Sequence, residues 1–136
     1  MGDVKLDPYI FFNGNCAEAM EFYKGIFGGE LTVQKYSEAG DQPGMKEHPD
    51  WIMHSTLEGE IKLMASDTEK ASAKAAKIDL SLSGSDKAKL HEYFDGLSKG
   101  GNVQFPLEKQ FWGDVFGMLT DKFGIEWMVN ITSNSK

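Results

Sequence analysis

The side chains best suited to chemistry in this sequence are one histidine and two carboxylates, His54, Asp79 and Glu126. An imidazole exchanges a proton near neutral pH, and a carboxylate drawn out of water does so as its pKa rises. Each of the three lies in a stretch that alternates like a strand, where residues two apart share a face. Glu126 therefore sides with Met128, and Asp79 with Lys77. Each also has a plainer reading. His54 could be a hydrogen-bonded structural group, Asp79 an acceptor for backbone or for Lys77, and Glu126 a solvated neighbour of a turn. Trp51, Trp112 and Trp127 read as core or interface rings, although Trp112 beside Gly113 could wall a pocket. Cys16 is the only cysteine, which rules out an intrachain disulfide and a cysteine-based zinc site. It is expected in the first turn of a helix, either as a thiol activated by the helix dipole or as a small buried filler.

The elements that must position these residues are written twice. Asn15 to Tyr23 reads as a helix ending at Gly28-Gly29, and Ser85 to Phe94 reads as a helix ending at Gly100-Gly101. The copies are offset by 72 positions, from Gly28 to Gly100 and from Phe22 to Phe94. Met20, Tyr23 and Ile26/Phe27 form one apolar stripe; Leu90, Phe94 and Leu97 form the other. Asn15 is the expected N-cap of the first helix, with Glu18 three residues on, and Ser85 that of the second. Gly28 and Gly100 are placed to take the left-handed conformation that ends a helix.

Strand patterns fall near 6–12, 30–37, 51–58 and 61–66, then near 77–83, 102–108, 112–120 and 125–131. Glu58-Gly59-Glu60 and Asp121 to Gly124 read as hairpin turns. The order is β-α-β-β-β in each copy, with 1–70 as a first module and 71–136 as a second. The stretch from Glu38 to Asp50, with Gly40, Pro43, Gly44 and Pro49, reads as a loop, and that from Asp67 to Ala76 as a linker. Such a duplication lets two copies build one site between them.

Composition bounds the partners. The chain has 136 residues, 14 basic and 21 acidic, for a formal charge of −7. No Lys/Arg cluster offsets this, so a nucleic-acid partner is not expected. No run is long and apolar enough to span a bilayer, and the first residues have no secretory pattern, so a cytoplasmic protein is expected.

Three motifs in order identify a family. Pro8-Tyr9-Ile10-Phe11-Phe12-Asn13-Gly14-Asn15 with Ala19-Met20-Glu21-Phe22-Tyr23 and Phe27-Gly28-Gly29-Glu30 resembles the PhnB-like branch of the vicinal oxygen chelate superfamily, which includes glyoxalase I, bleomycin-resistance proteins and extradiol dioxygenases. Ile52-Met53-His54-Ser55-Thr56-Leu57, Trp112 to Gly117 and Asp121 to Met128 resemble the same branch. The resemblance implies an α+β fold of two βαβββ modules, their strands curled into an open barrel around a ligand cavity, in a homodimer. It implies four metal-ligand positions in the metal-dependent members, falling here near Pro8, on His54, near Lys77 and near Met128. Only His54 is an ordinary ligand, so no metal cofactor is expected.

Within that fold a shift of register would let His54, Asp79 and Glu126 converge, for acid–base work or to bind a divalent metal. Lys77 would hold an anionic group, and Ile10, Phe12, Trp112 and Met128 would contribute to ligand binding. The favoured expectation is a small-molecule binding protein without the usual metal. The alternatives are a metal-dependent lyase, isomerase or dioxygenase using His54 with Asp79 or Glu126, and a protein that sequesters an antibiotic or metabolite. Sequences of this branch are sometimes labelled demethylubiquinone methyltransferases. The glycine pairs argue otherwise: they end helices, whereas an adenosyl methyl donor usually needs a glycine-rich turn that opens one.

Overall fold

The computed structural model describes residues 6–38, 47–69 and 78–132. In the first half β1 (Tyr9–Phe12) leads to α1 (Cys16–Phe27), β2 (Glu30–Lys35), a 3-10 turn (Tyr36–Glu38), β3 (Ile52–Glu58) and β4 (Lys62–Asp67). The second half repeats the order with β5 (Leu80–Gly84), α2 (Lys87–Ser98), β6 (Asn102–Lys109), β7 (Val115–Thr120) and β8 (Glu126–Ile131). The fold is α+β, two βαβββ modules. Their sheets run β1-β4-β3-β2 and β5-β8-β7-β6. In each, the first strand lies parallel to the last and the other pairs are antiparallel. The chain divides into two compact units, Met1–Ala73 and Lys74–Lys136.

Each sheet has one face covered by its helix. On α1, Cys16, Ala19, Met20, Tyr23 and Phe27 are buried, at the spacing the stripe predicted. They meet the alternate residues of the sheet, among them Phe12, Ser55, Leu57, Leu63 and Ala65. On α2 the buried set is Leu90, Tyr93, Phe94 and Leu97, and the matching sheet residues include Leu82, Leu119, Trp127, Val129 and Ile131. Burying such side chains contributes about 1.5–3 kcal/mol each, which is why both halves keep the pattern.

The glycine pairs do two jobs. Gly28 is the C-cap of α1, whereas α2 is capped by Lys99 in an extended conformation and Gly100 only follows it; the two glycines hold φ of 74° and 75°, backbone that favours glycine. The second member of each pair presses on a hairpin. A Cβ on Gly29 would lie 2.8 Å from the carbonyl oxygen of Glu58, and one on Gly101 would lie 2.2 Å from that of Thr120.

The helix starts differ from expectation. Asn15 is the N-cap residue of α1, but its side chain makes no capping bond. A carboxylate from the end of β4 does this instead: Asp67 Oδ1 accepts from the N–H groups of Gly14 and Cys16. In the second module the cap is Asp86 rather than Ser85, with Oδ1 accepting from Lys89 N–H. Both expected hairpin turns form, and Asp121 Oδ1 draws the second tight by accepting from Phe123 and Ile125 N–H. The strand expected from 112 begins at Val115, because residues 111–114 are taken up by a turn in which Gly113 N–H reaches the Gln110 carbonyl.

Candidate functional site

The face of the first sheet turned away from α1 carries the polar and aromatic side chains. Its orientation follows from register. Cys16 Sγ lies 3.6 Å from Ser55 Oγ, so Ser55 faces the helix, and so do its rung partner Ala65 and that residue's partner Ile10. The neighbours of these residues point the other way. One row across the open face is Tyr9, Met64, Thr56 and Thr32, from β1 to β2. Beside it stand Phe11, Ser66, His54 and Gln34. Toward the hairpin end follow Lys62, Glu58 and Glu30, with Lys62 Nζ 3.7 Å from Asp7.

His54 is held from both sides. Tyr9 Oη lies 3.0 Å from Nδ1, reaching across β4, and Thr56 Oγ1 lies 3.2 Å from Nε2. The Tyr9 and His54 rings are 5.7 Å apart, and the Phe11 ring packs 5.0 Å from that of Tyr9. Tyr9 and Phe11 remain 37% and 58% exposed, so this is an accessible aromatic and imidazole surface, not a satisfied core.

The residues singled out in the sequence are spread over the fold. His54 is on the open face of the first unit. Ile10 and Phe12, expected to line a ligand pocket, lie on the opposite face of the same sheet, and Phe12 is buried toward α1. In the second unit Asp79 and Glu126 each stand one residue before the Leu80–Trp127 rung, which sets them at the start of neighbouring parallel strands. One carboxylate oxygen of each is shut off from solvent. Glu126 and Met128 share the face away from α2, as alternation predicted, because Trp127 between them is buried against the helix side. Trp112 sits on the turn before β7, half exposed and edge-on to Phe111 and Phe116. Lys77 lies outside the described residues, as do much of the loop after Glu38 and most of the linker. Of the other histidines, His48 stacks on Trp51 and contacts Glu69, and His91 bonds within its own helix.

Tyr9 and Thr56 are additions the sequence reading did not make. The signal for Thr56 was present, since it lies two residues from His54 on one strand. Tyr9 is hidden in the sequence because both alternating pairs of β1, Tyr9/Phe11 and Ile10/Phe12, are apolar or aromatic. Asp67 is the other addition. It is 1% exposed and gathers three backbone N–H groups, those of Gly14 and Cys16 on Oδ1 and that of Ile52 on Oδ2 at 3.0 Å. It thus fixes where α1 and β3 begin. The same carboxylate also bears on Cys16. Burial foremost pushes the thiol from 9.0 up to about 11, the negative charge of Asp67 adds to this, and the hydrogen bond with Ser55 only partly opposes it. Cys16 is a buried filler: burial foremost, with the nearby carboxylate adding to it, outweighs what the helix dipole would have done.

Comparison with known proteins matches this geometry to a family. A model of the Glyoxalase/Bleomycin resistance protein/Dioxygenase superfamily matches residues 5–129. The chain is 28% identical over 138 residues to protein YjdN of Escherichia coli (strain K12), covering 93% of this chain and 94% of that one. Its fold is similar to that of protein PA1353 from Pseudomonas aeruginosa, with a TM-score of 0.78, 40% identity, and coverage of 96% and 98% of the two chains. The PhnB protein from Bacillus cereus shares the fold at a TM-score of 0.72 and 21% identity, over 95% of this chain and 100% of that one. Among the described residues no helix is long and apolar enough to cross a membrane.

Proposed function

The chain belongs to the Glyoxalase/Bleomycin resistance protein/Dioxygenase superfamily, and from that premise we propose that it binds a small organic molecule on the open face of its first module, with His54 as the polar centre and without a resident divalent metal ion. The observation that carries this reading is the bracketing of His54. Both ring nitrogens stand within hydrogen-bond distance of a hydroxyl, Tyr9 on one side and Thr56 on the other. A metal-bound imidazole instead turns one lone pair to the ion and gives its other N–H to a fixed acceptor.

The rest of the donor set fits a metal no better. Of the carried-over positions within the described residues, Pro8 and Met128 offer no donor suited to a hard divalent ion, and catalytic sites use three such protein ligands. Among the described residues no three His, Cys, Asp or Glu side chains form a group that could hold a metal ion. The aromatic rings of Tyr9 and Phe11 supply flat apolar contact beside the imidazole, a combination suited to an organic ligand with a polar group at one edge.

Native mass spectrometry with elemental analysis of the purified protein tests this. The expected result is an organic adduct that survives gentle desolvation and disappears in His54→Ala, with metal well below one ion per chain. Stoichiometric zinc, nickel, manganese or iron lost in His54→Ala would overturn the reading in favour of a metal-dependent lyase, isomerase or dioxygenase. An adduct untouched by His54→Ala would move the ligand off this face.

A further inference from the structure

We infer that Tyr9, not His54, is the residue that meets the ligand's polar group, and that it selects an uncharged hydrogen-bond donor such as a phenolic hydroxyl over a carboxylate. The inference deepens the proposed function and rests on the open face of the first module being the binding surface. It starts from the direction of the hydrogen bonds around His54. A neutral imidazole carries one N–H and one bare nitrogen, and each has a hydroxyl beside it. A phenolic O–H is a stronger donor than an alkyl one, and the Tyr9 contact is the shorter, 3.0 Å against 3.2 Å. The phenol therefore donates to Nδ1, and Nε2–H donates to Thr56 Oγ1.

That direction has a consequence for the outer end of the chain. The only hydrogen on Tyr9 Oη is committed to His54, so the phenolic oxygen offers lone pairs alone. A ligand arriving there must bring the hydrogen. His54 acts through Tyr9 as a positioning residue, because its bare Nδ1 is what holds the Tyr9 hydrogen inward. The charges nearby agree. The open face has one cation at its hairpin end, Lys62, which is 3.7 Å from Asp7 and shares its row with Glu58 and Glu30. Among the described residues this leaves no unpaired lysine at that end for a carboxylate, while Phe11, 58% exposed beside the Tyr9 ring, provides a surface for a flat ring.

Phenol and benzoate make a matched pair of probes, one ring bearing either a donor or an anion. Titrating each into the full-length, nitrogen-15-labelled protein and following amide shifts gives the site and the affinity together. Phenol is expected to perturb β1, β3 and β4 of the first module and to bind at least about tenfold more tightly than benzoate, a difference of about 1.4 kcal/mol. Tyr9→Phe should bring that ratio close to one by removing the acceptor. His54→Ala should do so by another route, weakening phenol to the level of benzoate because Tyr9 Oη is then no longer held in place. The nitrogen shifts of the His54 ring supply a readout that loss of packing would not mimic: Tyr9→Phe should move the Nδ1 resonance from that of a hydrogen-bonded bare nitrogen to that of an unbonded one.

Equal binding of both probes on this face would overturn the donor selectivity and leave the binding surface standing. Phenol shifts confined to other elements, or a ratio unchanged in Tyr9→Phe, would overturn the role of Tyr9. Absence of any shift with either probe would also overturn it, while the copurified adduct and its response to His54→Ala would still decide the broader reading.

Discussion

In the first module the strand that pairs with β1 ends in Asp67; in the second, the strand that pairs with β5 ends in Ile131. The positions are equivalent. The next residues, Thr68 and Thr132, each donate a backbone bond of 2.7 Å to the last residue of the first strand, Phe12 or Gly84. At this one place the copies chose opposite chemistry. Asp67 ties the start of α1 to the start of β3 through three backbone N–H groups, while Ile131 is buried among apolar side chains and α2 relies on its own Asp86 for a cap. The open faces differ in the same sense. That of the first module has the Tyr9–His54–Thr56 chain, whereas the second presents Met128, Met118, Phe116 and an Asn130 bonded to Asp114. The two copies place their polar anchoring differently, the first at the end of β4 and across its open face, the second in the Asp121 turn and at Glu126.

Breaking that contrast at its strongest point means removing Asp67. Asp67→Ala strands three N–H groups inside the protein, and a loss of about 3–5 kcal/mol in denaturant titration is expected. Faster hydrogen exchange at Cys16 and Ile52 would show that the loss is local to that clasp. The glycine pairs probe what the modules share. Gly29→Ala and Gly101→Ala should each cost about 2–4 kcal/mol, since a new Cβ meets a hairpin carbonyl. Gly28→Ala, where the Cβ finds open space and only the positive φ resists, should cost about 1–2 kcal/mol.

The Asp67 neighbourhood also carries a pH signature. With the Cys16 thiol raised from 9.0 to about 11, the folded state holds its proton more tightly than the unfolded chain. Its contribution is complete below the lower value and lost as pH climbs through the upper, in total about 2–3 kcal/mol. Comparing wild type with Cys16→Ala by urea titration across that window isolates it: the wild type should lose stability more steeply. The mildest expected effect is Asp86→Ala in the second module, about 1 kcal/mol, the ordinary value of a local cap. A result as large as that for Asp67 would dissolve the contrast between the modules.

The repeat was legible because its signals are local: the apolar stripes, the glycine pairs that follow both helices and the Asp121 turn are all written in contiguous residues. His54 was legible as the one histidine in an alternating strand and by its place in the motif from Ile52 to Leu57. What surrounds it was not, because Tyr9 comes from a strand 45 positions away and reaches His54 across β4. Asp67 escaped for the same reason: a carboxylate at a strand end looks solvated until the fold brings a helix start 51 residues distant onto it. The face of β1 was misread since Tyr9-Ile10-Phe11-Phe12 is apolar on both sides, so alternation alone could not say which pair meets α1. The capping residue of α2 was off by one, a displacement that adjacent Ser85 and Asp86 invite.

The direction of the hydrogen bonds at His54 is the point on which the ligand reading turns, and side-chain nitrogen NMR of the intact protein reads it directly. At a pH about two units above the ordinary imidazole value, the spectrum should show His54 protonated on Nε2, with a bare, hydrogen-bonded Nδ1. A proton on Nδ1 instead, or an even mixture of the two forms, would mean that Tyr9 does not donate inward and would contradict the account.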